Sequence, residues 1–135
     1  MFFVPDSFID GLVGEDLHIQ HRVFADSFIS LIEKMGARFP EKKIAVEVDS
    51  AKEALAFAKA GADIVQCERF FPADLAYLVA MLRAEKPDVK ILAAGGINAD
   101  NALEYAATGV DVLVTSWVYF GKPEDIKMKF SPGGM

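Results

Sequence analysis

Ser50-Ala51-Lys52-Glu53-Ala54-Leu55-Ala56-Phe57-Ala58-Lys59-Ala60-Gly61-Ala62-Asp63-Ile64-Val65 is the stretch from which the architecture is read. Ser50 is a good helix N-cap, Ala54, Leu55 and Ala58 recur at helical spacing, and Gly61 suits the left-handed position that ends a helix before a strand. Residues 98–113 repeat the unit: Ala102 falls on Ala54, Leu103 on Leu55, Ala106 on Ala58, Gly109 on Gly61 and Asp111 on Asp63. Such a repeat is expected of tandem βαβα modules, the units of a barrel, although convergent helix-to-strand chemistry can also produce it.

Working outward, four apolar or β-branched runs read as strands: residues 43–48, 62–67, 89–94 and 110–115. Amphipathic segments at 51–60, 73–85 and 98–107 separate them, with Pro72 suited to a first helical turn and Asn98 to an N-cap. Nearly continuous apolar strands alternating with helices predict an α/β fold built on a parallel sheet of four to five strands, a partial (β/α) barrel. With 135 residues the chain is too short for a complete (β/α)8 barrel of about 250. Ahead of these units, Phe24, Phe28, Leu31, Ile32 and Met35 form a helical core stripe that Gly36 and Pro40 close. Residues 1–17 are expected to carry a shorter amphipathic helix with Phe8, Ile9, Leu12 and Val13 on one side. The organisation predicted is a helical N-terminal remnant at 1–17, the partial barrel at 18–130 and a frayed tail at 131–135.

Charge narrows the partners. Fourteen Lys and Arg against twenty Asp and Glu leave a net charge of −6, which argues against nucleic acid and against an anionic membrane surface. No apolar run approaches the ~20 residues of a membrane span. The lone Cys67 forms no internal disulfide and no basic leader precedes an apolar stretch, so the expected compartment is a reducing cytoplasm.

In a parallel α/β sheet the chemistry gathers at the carboxyl ends of the strands. Those ends here are Glu47-Val48-Asp49, Cys67-Glu68-Arg69, Gly95-Gly96-Ile97-Asn98 and Thr115-Ser116-Trp117. Gly95 and Gly96, between a strand and a helix, let backbone N–H groups approach a phosphate, and Thr115 and Ser116 can add hydroxyl bonds to it. The plainer alternative is a tight turn with capping hydroxyls. Glu47 and Glu68, one strand apart, can hold ribose hydroxyls, coordinate Mg2+ or stabilise a cationic sugar transition state; the plainer alternative pairs Glu68 with Arg69 and leaves Glu47 solvated. Asp49 reads as part of the helix start at Ser50. His18 and His21 lack a third metal ligand at a convincing spacing, whereas His21 and Arg22 are candidates for holding an anion. Cys67 reads as a buried thiol, and Trp117, Tyr119 and Phe120 as a packed edge in preference to a ligand-stacking platform.

Val46-Glu47-Val48-Asp49, Ala60-Gly61-Ala62-Asp63-Ile64, Phe70-Phe71-Pro72, Gly95-Gly96-Ile97-Asn98 and Tyr105-Ala106-Ala107-Thr108-Gly109-Val110-Asp111 together resemble the C-terminal half of the quinolinate phosphoribosyltransferase barrel. Gln20-His21-Arg22-Val23-Phe24 and the run from Val114-Thr115-Ser116 to Tyr119-Phe120-Gly121-Lys122-Pro123 resemble its ModD-type branch, associated with molybdenum-transport loci. The resemblance implies transfer of 5-phosphoribosyl from phosphoribosyl pyrophosphate to a quinolinate-like pyridine carboxylate, with Mg2+ required. It implies Glu47 and Glu68 at the ribose and metal, and Gly95, Gly96, Thr115 and Ser116 at the 5-phosphate. Residues 1–17 resemble the family's extreme N-terminus and His18 onward a segment deep in the barrel, with the basic substrate-binding motifs between them absent. Two expectations follow: little catalysis by the isolated chain, and a homodimer that covers the open sheet. The alternative function is a non-catalytic, ligand-binding or self-associating remnant linked to molybdenum transport.

Overall fold

The computed structural model describes the backbone of residues 2–4, 17–131 and 133, and side chains from Ser27 onward. Along this length lie β1 (Phe2–Val4), α1 (Leu17–Arg38), β2 (Ile44–Val48), α2 (Ala51–Ala60), β3 (Ile64–Glu68), α3 (Pro72–Glu85), β4 (Lys90–Ala94), α4 (Ala102–Ala106) and β5 (Val112–Leu113). A 3-10 turn at Trp117–Phe120 follows. Each strand pairs in parallel with the next, in the order β1-β2-β3-β4-β5. A sheet that grows in one direction sends each crossover the same way, so its helices collect on one face.

Burial records that arrangement. Val46, Val48, Val65, Cys67, Ile91 and Ala93 share a core with Ala54, Phe57, Leu75, Leu78 and Leu82 from α2 and α3. Glu47, Gln66, Glu68 and Leu92 alternate with these along the strands and stay half-buried on the opposite face. Phe28 of α1 packs on Phe57 of α2 with ring centroids 5.3 Å apart, closing the helical layer. No helix among the described residues is long and apolar enough to cross a membrane.

The helix ends follow from single residues. The Ser50 hydroxyl accepts from the Glu53 N–H, and Gly61 takes φ 111° at the C-cap. The duplicated aspartates do the same work twice: Asp63 accepts from the Ile44 N–H at 2.9 Å, and Asp111 from the Ile91 N–H at 2.8 Å.

Four expectations need amending. The polar cluster from His18 to Arg22, which the sequence places before the Phe24 helix, lies within it: α1 begins at Leu17, and no Gly or Pro interrupts it before Gly36. α4 is shorter than 98–107, because Asn98 accepts from the Asp100 N–H in a local turn instead of opening a helix. Phe2–Val4 form a strand beside Ile44, Ala45 and Val46 inside the segment read as helical; the helix placed at Phe8, Ile9, Leu12 and Val13 lies outside the described residues. Trp117, Tyr119 and Phe120 are 52%, 84% and 83% exposed, not packed, because β5 is only two residues long and none of the described strands lies beyond it.

Candidate functional site at the carboxyl rim

Register sets the two acids. Glu47 lies opposite Gln66, and Glu68 opposite Ala94. Since alternate residues face the same way, Glu47, Gln66 and Glu68 share the face away from the helices, with Glu68 one step nearer the rim. Gln66, not singled out as a site residue in the sequence, stands between the two carboxylates. The Glu68 side chain is 22% exposed, and its Oε1 lies 3.7 Å from Arg69 Nε, an ion pair too long for a hydrogen bond.

β4 runs from Ala94 into Gly95 at φ 87° and Gly96 at φ 72°, both left-handed. A Cβ added to Gly95 would lie 2.7 Å from Glu68 Oε1 and 2.6 Å from Arg69 Cγ. That spacing seats the Glu68 carboxylate directly against the glycine turn. Two side chains then pull the carbonyls of the turn inward: Asn101 Nδ2 donates to the Gly96 carbonyl at 3.0 Å, and the Thr115 hydroxyl donates to the Ile97 carbonyl. The Asn101 amide oxygen in turn accepts from the Asn98 N–H at 2.8 Å. An anion is repelled by carbonyl oxygens and attracted by N–H groups, so tying these carbonyls back to the protein is what a phosphate-binding turn requires.

The Thr115–Ile97 bond also fastens the loop after β5 to the loop after β4, so Gly96 and Ser116 each adjoin one of the two bonded residues. A hydroxyl has one proton. Thr115 commits its own to Ile97 and accepts from the Trp117 N–H at 3.1 Å, which makes it a brace between loops. His21 and Arg22 lie in the second turn of α1; their side chains are outside those described. Asp49 and Ser50 line a groove of about 430 Å³ with Arg69, Phe70, Phe71 and Tyr77.

Neighbouring chemistry is subdued. Burial pushes the Cys67 thiol up to about 12, which leaves almost no thiolate near neutrality. Among the described residues no three His, Cys, Asp or Glu groups gather as a metal cluster. Glu47 and Glu68 are a two-carboxylate set of hard oxygen donors, the donor number with which Mg2+ is commonly held when substrate phosphates and waters complete its coordination.

Sequence reading passed over Asn101 and gave Arg69 only as an ion-pair partner for Glu68. Asn98-Ala99-Asp100-Asn101 carries an Asn/Asp density that signals side-chain-to-backbone turns, and Asn101 could have been found there.

Residues 15–129 match the model of the quinolinate phosphoribosyl transferase C-terminal domain. The chain is 31% identical over 119 residues to the ModD protein of Escherichia coli O157:H7, covering 86% of this chain and 42% of that one. It is 40% identical over 95 residues to the nicotinate-nucleotide pyrophosphorylase (carboxylating) of Rattus norvegicus, covering 69% and 31%. The solved nicotinate-nucleotide pyrophosphorylase of Francisella tularensis superposes with a TM-score of 0.58 at 27% identity, over 64% of this chain and 30% of that one. The chain therefore spans less than half the length of these relatives. Matching over most of its own length, with the α/β fold of that domain, it belongs to the quinolinate phosphoribosyl transferase family.

Proposed function

We propose that the rim binds a 5-phosphoribosyl group and serves phosphoribosyl transfer from phosphoribosyl pyrophosphate to a quinolinate-like pyridine carboxylate. The observation that carries this reading is the pair of carbonyl latches at Gly96 and Ile97, beside the Glu68 carboxylate. The Gly95 and Gly96 backbone and Ser116 hold the 5-phosphate, with Thr115 and Asn101 keeping the loops in place. Glu47 and Glu68 face the ribose hydroxyls and the positive charge that develops at C1′ as its bond to pyrophosphate breaks and the bond to the ring nitrogen forms. Glu47 and Glu68 would hold Mg2+, which would supply charge neutralisation to the pyrophosphate group. His21 and Arg22 contact the anionic substrate. A reducing cytoplasm is the compartment this reading assigns.

A net charge of −6 sets a limit on the isolated chain. Two polyanionic substrates need more cationic groups than the described rim offers, so binding without turnover is expected. The exposed apolar side chains Trp117, Tyr119, Phe120, Ile126, Met128 and Phe130 favour self-association, and a homodimer is part of the proposal.

Calorimetric titration with ribose 5-phosphate and with phosphoribosyl pyrophosphate plus Mg2+, beside a quinolinate turnover assay, tests the site. Binding should weaken roughly tenfold in Asn101→Ala, whose Gly96 carbonyl is released to face the anion. Absence of binding to the unchanged protein would overturn the reading, and turnover by the isolated chain would overturn the charge argument. Light scattering during size exclusion should give twice the monomer mass.

A further inference from the structure

Arg69 is the one non-glycine residue with positive φ, 55°, among the described residues. For a side chain with a Cβ the left-handed region costs on the order of 1–2 kcal/mol, and a long cation gains nothing locally from it. The surroundings enforce the conformation from both sides. The Arg69 N–H donates to the Ala94 carbonyl at 2.9 Å, and the next carbonyl, of Phe70, accepts from the Tyr105 hydroxyl at 2.9 Å. Glycine would meet these constraints without strain. Backbone strain maintained in this way is found where the side chain has work to do.

The side chain emerges at the rim, 82% exposed, against Gly95, and lines the groove together with Asp49, Phe71, Asp74 and Tyr77. At the amino ends of the strands Lys43 is paired with Asp63, and Arg83 and Lys90 with Asp111; at the carboxyl ends Arg69 stands with Lys52, in the first turn of α2. Arg69 has only the 3.7 Å contact to Glu68. It also stands two strands from Ser116, on the order of 10 Å across the sheet. One phosphate does not bridge that gap, but a sugar carrying an anionic group at each end does.

We infer that Arg69 is the residue that holds the pyrophosphate end of the donor, across the Gly95–Gly96 turn from Ser116. This rests on the phosphoribosyl reading above. A fork of guanidinium donors suits two phosphate oxygens, and its place beside Glu68 puts it next to the sugar carbon where pyrophosphate departs. It is a binding residue absent from the sequence-based site.

Calorimetric titration of the whole chain with pyrophosphate, ribose 5-phosphate and quinolinate, each with Mg2+, tests this in Arg69→Gly, Arg69→Lys and Lys52→Ala. Arg69→Gly should weaken pyrophosphate roughly tenfold while ribose 5-phosphate changes less than twofold. Its melting temperature should not fall, since glycine relieves the strain, so lost binding is not lost folding. Arg69→Lys should keep part of the affinity, and Lys52→Ala, an exposed cation in the first turn of α2, should keep all of it. Pyrophosphate affinity unchanged in Arg69→Gly, or quinolinate weakened in its place, overturns the assignment. If ribose 5-phosphate fails to bind the unchanged chain, the phosphoribosyl reading itself falls; if it binds and pyrophosphate ignores Arg69→Gly, only the role of Arg69 falls.

Discussion

At the amino ends of β2 and β4 the chain closes on itself. Asp63 accepts from Lys43 Nζ and the Ile44 N–H, each at 2.9 Å, while Asp111 accepts from Arg83 at 2.7 Å and the Ile91 N–H at 2.8 Å. At the carboxyl ends of β3 and β4 the backbone instead takes three left-handed turns, at Arg69, Gly95 and Gly96, and leaves a guanidinium in solvent. One end of the sheet uses its charges for fold stability; the other accepts strain and presents donors. Barrel-type folds divide their two faces in this way, and the difference shows which substitutions should cost stability and which should cost binding.

The sharpest way to break the comparison is Gly95→Ala. The new Cβ takes a positive φ and lies within 3 Å of Glu68 Oε1, Arg69 Cγ and the Arg69 amide nitrogen. Strain and overlap together should destabilise the chain by about 2–4 kcal/mol and abolish phosphate binding. Urea unfolding with a ribose 5-phosphate titration checks both. A variant as stable as the parent would show that Glu68 does not press on the turn.

At the opposite end, Asp111→Ala strands the Ile91 N–H and leaves Arg83 only its bond to the Val89 carbonyl, at a cost of about 1–3 kcal/mol. Asp63→Ala should cost less, about 1 kcal/mol, because the Lys43 side chain with which Asp63 pairs is 73% exposed. Neither should alter phosphate affinity by more than about twofold. Acid gives a second readout. Burial alone would raise the Asp111 carboxyl, but the Arg83 hydrogen bond, the Ile91 N–H and the Arg83 and Lys90 charges outweigh it and hold it below the usual range. A carboxyl depressed on folding contributes its stability above its unfolded pKa, near 3.9, and loses it as pH falls through the folded value. Stability of the parent should therefore drop more steeply below about pH 4 than that of Asp111→Ala.

These two ends were not equally legible in the sequence. The helix stops rest on short-range chemistry, and Gly61, Gly109, Asp63 and Asp111 were found by laying one βα unit over another, although the bonds that Asp63 and Asp111 make reach 19 to 28 residues along the chain. Strand positions follow from β-branched runs, and the rim glycines from their place between strand and helix. The Asn101 latch is local, five residues from Gly96, and lay unread in an Asn/Asp-rich turn. What no local pattern carries is the Arg69 backbone, set by Ala94 and Tyr105, 25 and 36 residues further along the chain. β1 escaped because three residues, Phe2–Val4, carry too little periodicity to read as a strand without the neighbour that pairs with them. The packed edge expected at Trp117 to Phe120 finds no neighbour among the described strands, since none lies beyond β5.

The smallest effect belongs to Cys67, which sits between Gln66 and Glu68 in sequence but on the opposite face of β3. Pairing with Val48 and Ala93 puts it in the core at 1% exposure, while the residues on either side reach the open face. Alternation along one strand thus separates a buried thiol from a rim carboxylate by a single peptide. Burial raises the thiol to about 12, so in the folded chain it carries roughly 10⁻⁴ thiolate at pH 8 and should react with Ellman's reagent only at the rate of unfolding. The sign of its pH dependence is opposite to that of Asp111. The unfolded thiol ionises near 8.5 and the folded one does not, so stability falls as pH rises from 8.5 towards 12, and Cys67→Ala should remove that fall while leaving ribose 5-phosphate binding unchanged. Rapid labelling of the native chain at pH 8 would place Cys67 on the open face and shift the register of β3 by one residue, taking Glu68 away from Gly95.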